Sequence, residues 1–592
     1  MPNHILTADT TTSTPLANGE TYYLRHDVSH IVEVGAAVLG GGLSTGVSVG
    51  VDGAIVAVAN HGVSLSSNGT AIFLNVQIGE AGTIRGLSTT NFGAIRLDSG
   101  GGSSQVANMG ELTADAGVIL IDGRYTVDNG GRITAQDGYG VWVSTSAGSV
   151  VNNSGVIQGE SAVRFDGLSG TGAVNNTGQM IAGAGNAVYG AGASVVLENA
   201  GEIVARDGFA YYASVGGSVL NTGEITGVID FGTGDATLMN SGVINGYVQI
   251  GSGTTSIVNT GEILGDIASG AGLDRFENSG VVTGQVNLGA GTADVENSGE
   301  IGGDLRLGTS GDTVLNSGVV MGRVLLSNGA DTLVNAGVVV EGVAGGNDAD
   351  KVINRGSVQS LSLIGGDDLV RNNGVVDDFV LFSSGENVLR NHGLIGGPVG
   401  GGSGADLVVS TGTIGDDVNL GATADKMFLR GGVATGDVNL GQGNDTFRAT
   451  GGAEVLGVIR GQDDNDRILG SSEIDRIEGG GGFDTLKGRG GDDEIKGGAG
   501  DDELTGGINA DEFRIGKHSG ADTILDWEDG VDVLNLRKLG LTGGTKLGDV
   551  IAASENRIGG AVIIDLDDIG GDGSITVENW NTALMSVDDF IF

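Results

Sequence analysis

The amino-acid sequence predicts an all-β protein dominated by an elongated parallel β-solenoid with about 19 to 23 residues per coil, and three observations carry that expectation. An Asn-x-Gly tripeptide returns at a near-fixed interval: its asparagines stand at 153, 176, 199, 221, 240, 259, 278, 297, 316, 335, 354, 372 and 391, and Ser410 continues the column. Within one period, 297–315, the apolar residues Ile301, Leu305, Leu307 and Val314 fall in short alternating pieces between glycine-containing corners, and no helical period appears. Short strands at a fixed period describe a solenoid in which parallel strands stack about 4.8 Å apart. The composition agrees. Of 592 residues 116 are glycine and only 3 proline, below the fraction typical of low-complexity disorder, and 39% apolar residues suffice for a core.

Other bulk properties narrow the function. A net charge of −45 argues against nucleic acid and anionic membranes as partners and for capture of cations, calcium foremost. The absence of cysteine removes disulfides without fixing the compartment. The opening residues, MPNHILTADTTTSTPLANG, have neither a basic nor an extended apolar stretch, so no Sec signal peptide is expected, and no segment is apolar enough to span a bilayer.

Taken in order, residues 1–105 are Gly-rich and strand-like but lose the period, and are expected to form an irregular cap or assembly module. Residues 106–225 read as coils of 22–23 residues whose additional residues bulge from one face. Aligning those coils places Trp142, Arg164, Tyr189 and Tyr212 in one outward column, either a flat ledge for sugar rings, a contact with a neighbouring subunit, or ordinary packing at a bulged corner. Residues 226–460 read as coils of 19–20 residues. Their stacked asparagines are expected to pass amide hydrogen bonds from coil to coil and so hold register. A second column is acidic: Asp235, Asp274, Asp312, Asp331, Asp350, Asp368, Asp406, Asp425 and Asp445, with Asp294 one place out of register and Asn387 replacing one acid. Carboxylates at this spacing repel by about 1 kcal/mol per adjacent pair in water. Either each accepts hydrogen bonds from its own turn or a cation lies between coils; on the second reading Asp312, Asp331, Asp350, Asp406, Asp425 and Asp445 are metal ligands.

Residues 461–514 form six nonapeptides beginning at Gly461, Gly470, Gly479, Gly488, Gly497 and Gly506. Their sixth residues are Asp466, Asp475, Asp484, Asp493, Asp502 and Asp511; their eighth are Ile468, Ile477, Leu486, Ile495, Leu504 and Phe513. This resembles the repeat-in-toxin (RTX) pattern G-G-x-G-x-D-x-U-x. The units at 479 and 497 are complete; Arg489, Gln462 with Asp464, Ser471 with Glu473, and Asn509 interrupt the others, so calcium is expected most firmly at the centre. The resemblance implies a calcium β-roll of eighteen residues per turn, holding several ions. Asp466, Asp484 and Asp502 would line one edge and Asp475, Asp493 and Asp511 the other. The turn residues Gly479, Gly481, Gly488, Gly490, Gly497 and Ala499 would offer main-chain carbonyls. Without metal, this segment is expected to be disordered.

Residues 515–592 complete the reading as a β-rich secretion cap. The stretch 519–536 resembles the segment that caps RTX rolls; Asp522, Asp526 and Asp532 read as acids of a solvated loop, with calcium ligation by the three, Asp522 foremost, the alternative. The ending SVDDFIF, with Phe590, Ile591 and Phe592, resembles the uncleaved signal of type I secretion, which implies export from a Gram-negative cell by that machinery, to the medium or the cell surface. Catalytic residues are not expected: H-E-x-x-H and G-x-S-x-G are absent, His4, His26, His30, His61, His392 and His518 are scattered, and Lys351 and Lys426 are the only lysines before residue 440. The sequence therefore points to a self-associating structural protein such as an S-layer, sheath or filament subunit. A calcium-dependent adhesin for surface polysaccharide is the alternative, and a polysaccharide-modifying enzyme the third reading.

Overall fold

The computed structural model describes residues 4–6, 10–25, 28–32, 38–57, 61–69, 72–86, 93–144, 148–167, 170–541 and 546–592. They form two compact units, Met1–Gly308 and Thr309–Phe592, each a parallel β-solenoid.

In the first unit the described strands pair in parallel with those of neighbouring coils. The described residues before 105, a region expected to be irregular, are coiled too: Tyr22, Val49, Val76, Val106 and Val127 stack in register, at separations too long and uneven to count from the sequence. From residue 108 each coil carries three strands, for example Val150–Asn153, Val156–Gly159 and Ser161–Asp166. Further on these become Ala236–Asn240, Val243–Asn245 and Val248–Gln249. The third strand loses most of the residues, which is why the coil shortens from 23 to 19.

The asparagine closes the first strand and turns inward. Asn240 Nδ2 donates to Asn259 Oδ1 at 2.8 Å and to the Glu262 carbonyl at 3.1 Å, and Asn259 repeats the pattern onto Asn278. The column begins earlier than the tripeptide count suggests, with Asn108 donating to Asn129 and Asn129 to Asn153, both at 2.7 Å. These amides are nearly fully buried, so a chain in which each donor meets the next acceptor satisfies polar groups that would otherwise be orphaned at the corner.

The second unit repeats the three-strand coil, as in Thr332–Asn335, Val338–Val339 and Val343–Ala344. Its amide ladder runs through Asn316, Asn335, Asn354, Asn372 and Asn391 to the Ser410 hydroxyl. Val320, Val339, Val358, Val376, Ile395 and Ile414 fill the core behind the middle strands. That middle stack ends at Glu454–Val455. The other two continue: Thr446–Thr450 pairs with Arg467–Leu469 and then Thr485–Gly490, while Ile459–Asp463 pairs with Arg476–Gly481 and then Glu494–Ala499. Losing one strand and the asparagine corner converts the coil into an eighteen-residue, two-strand turn.

The unit closes with His518–Ile524, a short helix Lys546–Ala552 that the sequence periodicity did not reveal, and an antiparallel pair, Ser554–Arg557 with Ala561–Asp565. Trp580 is buried against Trp527 (4.7 Å between ring centroids) and Phe590 (5.9 Å), which anchors the C-terminal strand Phe590–Ile591 beside Val533–Asn535.

Candidate metal centre

Each nonapeptide is a glycine turn followed by a short strand. The strand buries its eighth residue (Ile477, Leu486, Ile495, Leu504), and alternation then turns the sixth, an aspartate two positions earlier, inward as well. The turn demands left-handed backbone: Gly480 and Gly482 have φ of +125° and +128°. The conformation persists without glycine at Gln462 (φ +91°), Asp464 (+74°), Arg489 (+81°) and Asn509 (+89°), but not at Ser471 and Glu473.

The six aspartates are at most 2% exposed and form two columns. On one edge the Asp466 N–H donates to Asp484 Oδ1 (2.8 Å), that of Asp484 to Asp502 (2.9 Å) and that of Asp502 to Asp522 (3.1 Å). On the other, Asp475 donates to Asp493 (2.8 Å), Asp493 to Asp511 (2.9 Å) and Asp511 to Asp532 (3.1 Å). The assignment of alternate units to opposite edges therefore matches the observed register. Asp522 and Asp532, read as acids of a solvated loop, are instead buried at 2% exposure each and extend the two columns. The nonapeptide count stops at 514, so sequence spacing could not show that they point inward. Asp526 accepts from the Gly506 N–H at 3.0 Å.

Each column leaves one carboxylate oxygen over. Oδ2 of Asp466, Asp484, Asp493, Asp502 and Asp511 is buried and has no hydrogen-bond partner. The Asp475 Oδ2 differs, accepting from the Ser471 N–H and hydroxyl at 2.6 and 3.0 Å. Burial, reinforced by neighbouring carboxylates and opposed by the ladder hydrogen bond, pushes the carboxyls of Asp466 and Asp493 up to about 8 and Asp511 to about 7. Asp522 is raised to about 8 and Asp484 to about 6 by the same burial. Acidic groups crowd at these turns, with Arg489 the basic neighbour of Asp475.

Beside the leftover oxygens of Asp466, Asp484 and Asp493 lies a main-chain carbonyl of the next turn. A Cβ added at Gly479 would come closer than 3.0 Å to both Asp484 Oδ2 and the Gly497 carbonyl, and one at Gly488 equally close to Asp493 Oδ2 and the Gly506 carbonyl. The cradle exists because the first glycine has no side chain. Gly481 pairs in register with Ala499, and Gly490 with Ile508, so successive turns superpose along each edge. No group of three or more His, Cys, Asp or Glu side chains converges among the described residues. That arrangement suits calcium, a hard cation that takes six to eight oxygens and accepts main-chain carbonyls with few carboxylates. The aspartate carboxylates and the glycine carbonyls of these turns would hold calcium, which would supply the positive charge they lack.

The acidic column of the longer coils is the upstream continuation of the first edge. Asp312, Asp331, Asp350 and Asp368 pass N–H to Oδ1 hydrogen bonds of 2.7 to 3.0 Å, Asn387 takes one place, and Asp406, Asp425 and Asp445 lead to Asp466. Asp235 does not belong to a buried acidic column. Strand register puts Ala236 in line with Thr255 and Asp274, and Asp235 is exposed, its Oδ1 accepting from the Thr254 N–H at 2.9 Å.

Trp142, Arg164, Tyr189 and Tyr212 do share one column on adjacent strands, all half-buried. The Arg164 guanidinium lies 4.8 Å from the Tyr189 ring centroid, and Tyr189 stacks on Tyr212 at 5.2 Å and 13°. Two members were not singled out in the sequence: Asp166, which accepts from Trp142 Nε1 and Arg164 Nε at 2.8 Å each, and Tyr139, 4.9 Å from the guanidinium. Asp166 follows Arg164 by two residues, a signal strand alternation offers, whereas Tyr139 precedes Trp142 by three, which alternation does not reveal. Of the histidines, His30 is buried between the Tyr22 hydroxyl and the Thr12 carbonyl, His61 hydrogen-bonds the Gly93 main chain, and His26 lies outside the described residues.

Comparison with known proteins agrees with the geometry. The family model for the RTX calcium-binding nonapeptide repeat, four copies, matches residues 478–513. No curated protein matches the chain. Matching solved structures include the solution structure of the AlgE6R3 subunit of a mannuronan C5-epimerase from Azotobacter vinelandii. It is 30% identical, with 22% of this chain and 80% of that one covered, at a TM-score of 0.20. Through residues 478–513 the chain belongs to the RTX family of calcium-binding nonapeptide repeats.

Proposed function

We propose that the protein is a secreted structural component of the bacterial cell surface or extracellular matrix, such as an S-layer, sheath or filament subunit, that folds and assembles on calcium after type I export and catalyses no reaction. The observation that carries this reading is the continuity of two strand stacks from the coils into the calcium turns of residues 461–514, which makes metal binding part of the scaffold. The inward polar residues of the coils are spent on amide and carboxylate ladders that hold register. Among the described residues no helix is long and apolar enough to cross a membrane. Electron microscopy of the purified full chain tests the proposal: ordered assemblies with millimolar calcium that disperse on chelation support it, and single particles under both conditions refute it.

The aromatic column favours a second reading, a calcium-dependent adhesin. Stacked tyrosines with an arginine and a tryptophan offer flat apolar faces and donors suited to sugar rings. Binding to a glycan array that disappears in Trp142→Ala and Tyr212→Ala would select it over the structural role.

A further inference from the structure

We propose that the outer face of the first-strand stack in the second unit, between Lys351 and Lys487, is a docking surface for a second copy of this chain, whose acidic corner between the second and third strands seats on it. The inference rests on the self-associating structural reading above and names the surfaces that carry it.

Strand register lays out the face. Alternation buries Val352, Val370, Leu389, Met427 and Phe447 and leaves two outward columns. One carries Arg371, Arg390, Arg448 and Lys487, the other Lys351, Lys426 and Arg467, with Leu407, Val409 and Phe428 among them. Neither column holds an aspartate or glutamate between these limits, although the chain has a net charge of −45. Elsewhere the arginines face carboxylates of their own or a neighbouring coil: Arg275 meets Glu277, Arg306 meets Asp304, Arg460 meets Asp437 and Arg514 meets Glu494. By contrast, the exposed side chains of Lys351, Arg371, Arg390, Lys426, Arg448 and Arg467 form no ion pair and no hydrogen bond among the described residues. Phe428 lies half-buried in the middle of the face, 5.6 Å from the Arg430 guanidinium. Aromatic and arginine side chains together are what the centre of a protein interface favours.

Charge complementarity selects the occupant. Each coil has three strands, so the corner between the second and third faces away from the first. In the same coils that corner carries Glu341, Asp377, Asp378, Asp416 and Asp417 and no lysine or arginine. Glu341, Asp377, Asp378 and Asp416 are exposed. Both rows sit on coils stacked about 4.8 Å apart, so a copy laid alongside matches acid to base at one pitch without any change of backbone. The contact is heterologous: a copy docked by its corner still presents its own basic face, and the pattern repeats from copy to copy. A long external polyanion fits less well, because the face ends where Glu503 follows Thr485 and the rest of the chain repels it. Exposed ion pairs are individually weak and screened by salt, so the charged rows set partner and register while Leu407, Val409 and Phe428 supply apolar contact.

The test follows assembly of the full chain in millimolar calcium by sedimentation and electron microscopy. One variant reverses the face (Arg371→Glu, Arg390→Glu, Lys426→Glu and Arg448→Glu), and another reverses the corner (Glu341→Lys, Asp377→Lys, Asp378→Lys and Asp416→Lys). Each alone is expected to stay dispersed. An equimolar mixture is expected to assemble, because every reversed face then meets a reversed corner and every native face a native corner. The neutral variant Arg371→Gln, Arg390→Gln, Lys426→Gln and Arg448→Gln covers misfolding of the reversed face and is expected to raise the concentration needed for assembly by about tenfold. Assembly of the reversed-face or neutral variant at the wild-type concentration, or a mixture that stays dispersed, overturns the proposal and leaves the structural reading standing. Loss of binding to polygalacturonate in the neutral variant, with assembly unchanged, overturns it in favour of an anionic polysaccharide. Wild-type protein that remains as single particles removes the structural reading and this surface with it.

Discussion

A left-handed turn tolerates glycine and penalises everything else, yet Gln462 holds φ +91° in line with Gly441 (+118°) and Gly480 (+125°) on the adjacent strands. The neighbouring coils impose the conformation and the side chain, which is exposed, contributes nothing to offset the strain. Gln462→Gly should therefore stabilise the calcium-bound protein by about 1 kcal/mol, read as a higher urea midpoint with unchanged slope. The aspartates set the pH response of the metal-free chain. Burial raises Asp466 and Asp493 to about 8 from an ordinary 3.8, so the folded form holds protons that the unfolded form releases. Stability in chelator is then greatest in acid and is lost as pH rises from about 4 through about 8, the reverse of the usual carboxylate case. Denaturation midpoints measured across that range in the presence of EGTA should fall steadily, and a rise would contradict the burial of these groups.

The asparagine corner is the element that holds the coils. Asn259 accepts from Asn240 and donates to Asn278, both at 2.8 Å, in a fully buried position. Asn259→Ala strands a donor on one side and an acceptor on the other, and should cost about 2 to 4 kcal/mol. Asn259→Ser should cost less, because Ser410 already serves in this role, accepting from Asn391 at 3.1 Å. A thermal melt of the two variants distinguishes them. This element could be read from the sequence wherever its spacing was regular. Asn108 and Asn129 carry the same Asn-x-Gly but at intervals of 21 and 24 residues, and were passed over for that reason. The acidic column was readable only to within one residue, since Asp235 and Ala236 both follow a glycine turn and strand register alone chooses between them. Asp522 and Asp532 were legible as acids but not as buried ones, because the intervals from Asp502 and Asp511 stretch to 20 and 21 residues once the nonapeptides end.

For the whole chain the decisive quantity is a net charge of −45, concentrated where aspartates stack. Amide ladders keep the coils of residues 108–297 in register without metal, whereas the two-strand turns after Glu454–Val455 have no such ladder. Chelation should therefore abolish hydrogen-exchange protection at Leu486, Ile495 and Leu504 while Leu238 and Ile257 remain protected, and simultaneous loss at both sets would contradict the distinction. Raising ionic strength should partly restore the chelated turns by screening, whereas magnesium should do little more than its contribution to ionic strength. The continuation of two strand stacks across residues 446–463 has one more consequence. A β-roll that had to start alone would close its first turn from a mobile polyanion, but here Thr446–Thr450 and Ile459–Asp463 present ready hydrogen-bonding edges. Ordering of the repeats is then propagation rather than nucleation, a zipper that runs from the coil toward the C-terminus and adds about nine residues with each tooth it closes.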